Sequence, residues 1–130
     1  NTEKPTVITN YNLIVGKKIC NKYIGFGVNS NEGNPVQVSF RYEDVIKYED
    51  SLLDVIGFYH THPNFQAYPS STDVKTMRGW VSCLGRPLLC VIEGVDSCNF
   101  WWMKQDGSSF EMLFGRKFGN IFAGNMLNVK

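Results

Sequence analysis

The sequence predicts a mixed α/β fold, a largely antiparallel sheet with one flanking helix. Short apolar and β-branched runs, separated by polar turns, recur in both halves of the chain, and only one segment spaces its apolar residues at a clear helical period. The length of 130 residues suits a single compact core. Hydrophobic residues at 43% against 19% charged ones exclude a disordered chain.

Taken in order, "TVIT" and "YNLIVGKKI" (Tyr11–Ile19) read as strands, followed by "KYIGFGV". "NSNEGN" is a strong turn signal before another strand-like run, "VQVSF". Arg41–Asp54 is polar, with apolar residues at Val45, Ile46, Leu52 and Leu53; its periodicity leaves a short helix and an irregular connection both open. "VIGFYH" (Val55–His60) reads as a buried strand. In "SSTDVKTMRGWVSCLG", Val74, Met77, Trp80, Val81 and Leu84 follow the pattern of an amphipathic helix. Ser70 is its expected N-cap and Gly85 its stop, with Pro87 just beyond. "PLLCVIEG" and "NFWWMKQ" are two further strands, the second expected to bury one of Trp101 and Trp102 and expose the other. "DGSS" is a turn and "FEMLF" a strand; the tail "GRKFGNIFAGNMLNVK" has no clear period. Nothing divides the chain, so residues 1–130 are expected to form one domain.

Charge and composition narrow the function. Thirteen basic against 12 acidic residues give a net charge of +1, which argues against nucleic acid or an anionic membrane as partner. No apolar run is long enough for a membrane span. The chain starts at Asn1, so a fragment or processed form is expected. Cys20, Cys83, Cys90 and Cys98 contain no C-x-x-C pair, which argues against a cysteine-zinc module. Reduced cysteines and a cytoplasmic setting are expected.

The chemistry concentrates in "GFYHTHPNFQAYPSSTD" (Gly57–Asp73), which holds the only two histidines of the chain. On an extended backbone residues i and i+2 point to one side, so His60 and His62 would face one point; Pro63 pushes His62 toward extended geometry. Two imidazoles so placed are half of a zinc site, and Asp73 offers a carboxylate at the first turn of the helix. Each residue also has a plainer reading: Ser70 and Asp73 fit a helix cap, and a lone H-x-H is commonly structural.

The whole string, H-x-H-P-x6-S-x-x-D, resembles the signature of the JAMM (MPN+, JAB, Mov34-like) zinc metalloprotease family, and "VIGFYH" resembles the strand running into its first histidine. The resemblance covers roughly Val55 to Val95 well and the rest in element order. It implies a JAMM/MPN-like, cytidine-deaminase-like three-layer arrangement. It makes His60, His62 and Asp73 the ligands of one catalytic Zn²⁺, and Ser70 the catalytic serine supporting the tetrahedral intermediate. The implied activity is hydrolysis of a peptide or isopeptide bond, at the C-terminus of ubiquitin or a ubiquitin-like protein. Zinc would lower the pKa of its water toward ~7 and polarise the carbonyl, and a hydroxyl donor would stabilise the oxyanion.

The family also uses an upstream glutamate as general base, and here the match fails. Aligning "LIVG" puts that position on Thr9, and aligning "YIGFGV" puts it near Lys22. Neither side chain is an ordinary general base. Glu3 has a suitable separation from His60 without the following pattern; Glu32, Glu43 and Glu49 read as surface charges. The leading strand and helix look shortened, as in a chain truncated at its N-terminus. The alternative function is therefore a metal-retaining but inactive MPN-type binding or scaffold module. Tyr59, Phe65 and Tyr68 flank the site and read as packing residues before groove residues.

Overall fold

The structure is a computed structural model that describes residues 11–29, 47, 54–62, 67–95, 97–107 and 110–125. "TVIT", the "NSNEGN" turn beyond Asn29, "VQVSF" and nearly all of the Arg41–Asp54 connection lie outside the described residues, as does Phe65.

Among the described residues the elements are β1 (Tyr11–Ile19), β2 (Lys22–Asn29), β3 (Asp54–Thr61), α1 (Ser71–Leu84), β4 (Leu88–Glu93), β5 (Cys98–Met103), β6 (Phe110–Phe118) and β7 (Ile121–Asn125). The fold is mixed α/β with a largely antiparallel sheet; among the described residues only β3 and β4 run parallel. That exception follows from α1, because a crossover through a helix returns the chain in the same direction.

The tail departs from its sequence reading. Arg116 to Asn125 continue β6, turn at Gly119–Asn120 and form β7, which pairs with both β6 and β2. The sheet thereby closes in the order β1-β2-β7-β6-β5-β4-β3. Where the resemblance leads to three layers, the described residues show α1 against a sheet that closes on itself. Gly124 disguised this strand in the sequence. The Tyr23 ring lies across it so closely that a Cβ there would meet the phenol, a contact that explains glycine inside a strand.

The core has two parts. Inside the barrel, Ile14, Tyr23, Tyr59, Leu89, Val91, Phe100, Trp102 and Phe122 pack together. On the helix side, Leu13, Val15, Val55, Phe58, Leu88, Cys90 and Ile92 meet Met77 and Val81 of α1. Each large side chain so buried contributes about 1.5–3 kcal/mol. Trp102 is in the core as one of the pair was expected to be, whereas Trp101 is half-buried between Tyr68 and Phe110.

A register shift between Ile14 and Val15 leaves Ile56 as an extra residue on β3. It puts Val55 and Phe58 on one face, and from Phe58 onward the alternation carries His60 to the helix side. Helix α1 begins at Ser70 and ends at Gly85, whose φ of 70° and ψ of 28° are the left-handed values a side chain disfavours. All four cysteines are free, with Cys90 buried as its apolar run suggested. Among the described residues no helix is long and apolar enough to cross a membrane.

Candidate metal centre

The end of β3 and the start of α1 meet at one point. The His62 N–H donates to the Glu93 carbonyl at 2.8 Å, one residue beyond the Thr61–Glu93 pair of the parallel ladder. This holds His62 extended, and the two imidazoles then lie side by side with ring centroids 4.9 Å apart and Nε2 atoms 3.1 Å apart. Strand β4 fixes His60 from beneath, pairing it with Ile92.

Asp73 enters from the first turn of α1. Its Oδ1 lies 3.1 Å from His60 Nε2, and its Oδ2 lies 3.0 Å from His62 Nε2. A capping box sets its direction: the Ser70 N–H donates to Asp73 Oδ2 at 2.9 Å, and the Asp73 N–H donates to Ser70 Oγ at 3.1 Å. The cap and the ligand readings of Asp73 are therefore compatible, since one carboxylate does both. His60 and Asp73 are buried, at 3% and 4% exposure, while the His62 side chain keeps 14%.

Burial of the Asp73 carboxyl favours its neutral form, but hydrogen bonds from His60 and His62, the charge of His60 and the Ser70 N–H outweigh burial. The carboxyl is held well below the usual carboxylate range. The positive end of the α1 dipole acts in the same direction.

These three side chains offer ligand atoms that all lie within 4.8 Å of one another, and together they could hold a metal ion. The chemistry of the set supports the fit. Two Nε2 atoms 3.1 Å apart can place no more than one proton between them, yet each also faces a carboxylate oxygen. A cation satisfies all three donors at once. Zinc bonds of about 2.0–2.1 Å would set neighbouring tetrahedral ligands about 3.3–3.4 Å apart, slightly wider than the spacing found. Among the described residues no further histidine, cysteine or acidic side chain joins the cluster.

A family model described as "Prokaryotic homologs of the JAB domain" matches residues 9–104. The chain belongs to this family. A solved structure of similar fold is the solution structure of protein DSY2949 from Desulfitobacterium hafniense. It shares 16% identity with a TM-score of 0.52, covering 82% of this chain and 75% of that one. No curated protein matches the chain.

Within this JAB domain the remaining sequence candidates fall in different places. Ser70 is exposed at the cap and beside Asp73. Glu3, Thr9, Glu32, Glu43 and Glu49 lie outside the described residues. Strand β1, which follows Thr9, pairs Tyr11 directly with His60, so it runs past the metal end of β3. Lys22 starts β2 opposite Ile19, at the other end of the sheet near Asp54. Tyr59 points into the barrel and donates to Glu93 Oε1 at 2.5 Å, so it is no groove residue of the histidine face. Tyr68 is exposed, with its ring against Trp101.

Sequence reading missed Asn99 and Trp101. The Asn99 Nδ2 and Trp101 Nε1 groups both donate to the Ala67 carbonyl, at 3.2 and 3.1 Å. Their i, i+2 spacing on β5 puts them on one face, but no sequence signal names Ala67 as their acceptor.

Proposed function

We propose that this JAB domain, acting as one unit over residues 1–130, is a zinc-dependent hydrolase of a peptide or isopeptide bond. The substrate class is the C-terminal linkage of a ubiquitin-like protein or a related peptide. The proposed setting is the cytoplasm, with neither nucleic acid nor membrane as partner. The observation that carries the reading is the convergence of His60, His62 and Asp73 at 3.0–3.1 Å from one another.

Two imidazole nitrogens with one carboxylate form a three-ligand set typical of hydrolytic zinc, which leaves a fourth position open. When bound, zinc supplies Lewis acidity and lowers the pKa of water at that position. His60, His62 and Asp73 would hold the ion, with the Ser70 N–H hydrogen bond keeping the Asp73 carboxylate oriented. Ser70 uses its oxygen as acceptor in the helix cap, so its hydroxyl proton can be turned toward a developing oxyanion.

A second reading, a metal-holding binding or scaffold module without turnover, is favoured by one observation. The positions that align with the family's general-base glutamate carry Thr9 or Lys22.

The deciding experiment measures metal content and cleavage of linked ubiquitin-like substrates for wild type, His60→Ala and Asp73→Asn. Cleavage that vanishes in both variants supports the hydrolase. Equal cleavage by wild type and Asp73→Asn ends it. Bound metal without any cleavage selects the scaffold reading.

A further inference from the structure

Ahead of α1, which carries Asp73 to the imidazoles, Ala67 is a fixed point. Ala67 is fully buried, and its carbonyl accepts two N–H groups from β5, Asn99 at 3.2 Å and Trp101 at 3.1 Å. The Trp101 ring also packs at a tilt against Tyr68, with centroids 5.5 Å apart, and edge-on against Phe110. Strand β5 is hydrogen-bonded to β4, which itself pairs with β3 beneath His60. The anchor is therefore referenced to the same sheet that carries the histidines. From Ala67 only Tyr68 and Pro69 precede Ser70, whose N–H holds Asp73 Oδ2.

We propose that Asn99 and Trp101 are positioning residues for the metal centre, gripping the Ala67 carbonyl so that Ser70 and Asp73 are delivered against His60 and His62. This deepens the metal-site reading and rests on it. A carbonyl with two lone pairs is fully used by two donors. Losing either one leaves a buried acceptor half-satisfied and the loop free to shift. A shift of a few tenths of an ångström at Ser70 passes through its short N–H contact to the carboxylate. Groups that orient metal ligands typically change metal affinity about 10–100-fold when removed.

The test uses Trp101→Phe, which keeps the ring and removes the N–H, together with Asn99→Ala and the double variant. Zn²⁺ and Co²⁺ affinity, the visible spectrum of the cobalt form and the thermal midpoint of the metal-free protein are measured for each. Both single variants should fold with metal-free midpoints close to wild type. They should bind metal roughly tenfold more weakly, show a changed cobalt spectrum, and lose more in combination. Wild-type affinity and spectrum in both would overturn the proposal. So would an affinity loss found only where the metal-free protein no longer folds, because the contact would then serve the fold alone. If the wild type takes up neither metal, the metal-site reading fails. The imidazole nitrogen resonances of His60 and His62 in metal-free protein then still decide the positioning role. Displaced resonances in the variants support it, and unchanged ones overturn it.

Discussion

His62 Nε2 and Asp73 Oδ2 stand 3.0 Å apart although eleven residues of chain separate them. The end of a strand and the first turn of a helix are thus closed onto each other by side chains that also offer ligand atoms to a cation.

Metal should stabilise the fold through this contact. A ligand that binds only the native state at a hundred times its dissociation constant adds about 2.7 kcal/mol. For a domain of this size that raises the thermal midpoint by roughly 10 °C. Differential scanning calorimetry with zinc and then with chelator should show the rise and its reversal in wild type, and neither in His60→Ala.

Ser70 caps α1, and its proposed catalytic role is separable from that. Ser70→Ala should lose about 1 kcal/mol of stability from the missing cap. Ser70→Asn restores a capping oxygen and should unfold close to wild type. If the hydroxyl assists catalysis, both variants should lose about 10²–10³-fold in kcat while retaining metal. Denaturant unfolding beside turnover on a linked substrate separates the two.

Alkaline pH should weaken the protein. Burial, and secondarily the Glu93 charge, push the Cys98 thiol up from 9.0 to about 11. Burial also raises Cys90, Tyr23 and Tyr59. For each, the fold prefers the neutral form, so the stability is fully present below the unfolded pKa and lost as pH rises through the folded one. Denaturant midpoints should hold up to pH 9.0 and fall through about pH 11. At mildly alkaline pH a thiol reagent should modify exposed Cys20 and Cys83 quickly, half-buried Cys98 more slowly and Cys90 only on unfolding.

Barrel closure should be sensitive at Gly124. In Gly124→Ala the added methyl meets the Tyr23 ring, an overpacking that costs about 1–3 kcal/mol. Urea unfolding of this variant should show the loss, and Tyr23→Leu, which removes the hydroxyl and ring, should relieve part of it.

Much of the fold was legible because local signals agreed. The strand Tyr11–Ile19 and the helix between Ser70 and Gly85 are found where apolar spacing and capping residues put them. Strand β7 was not legible. Its glycine is required by a ring from β2, a neighbour that is remote in sequence. Likewise, the i, i+2 spacing and the string through Asp73 made His60, His62 and Asp73 candidates, while the Ala67 anchor depended on β5 lying alongside.

The sequence by itself determined which atoms could serve as metal donors and which elements carry them, because side-chain chemistry and local periodicity are properties of neighbouring residues. Only the tertiary structure decided that these donors meet. It took the bulge at Ile56 to turn His60 toward the helix and the parallel pairing with β4 to hold His62 extended. The capping box then aimed Asp73 at both histidines. The bulge and the parallel pairing are contacts between distant parts of the chain that no local pattern encodes; the capping box is local, but the meeting of its carboxylate with the histidines is not.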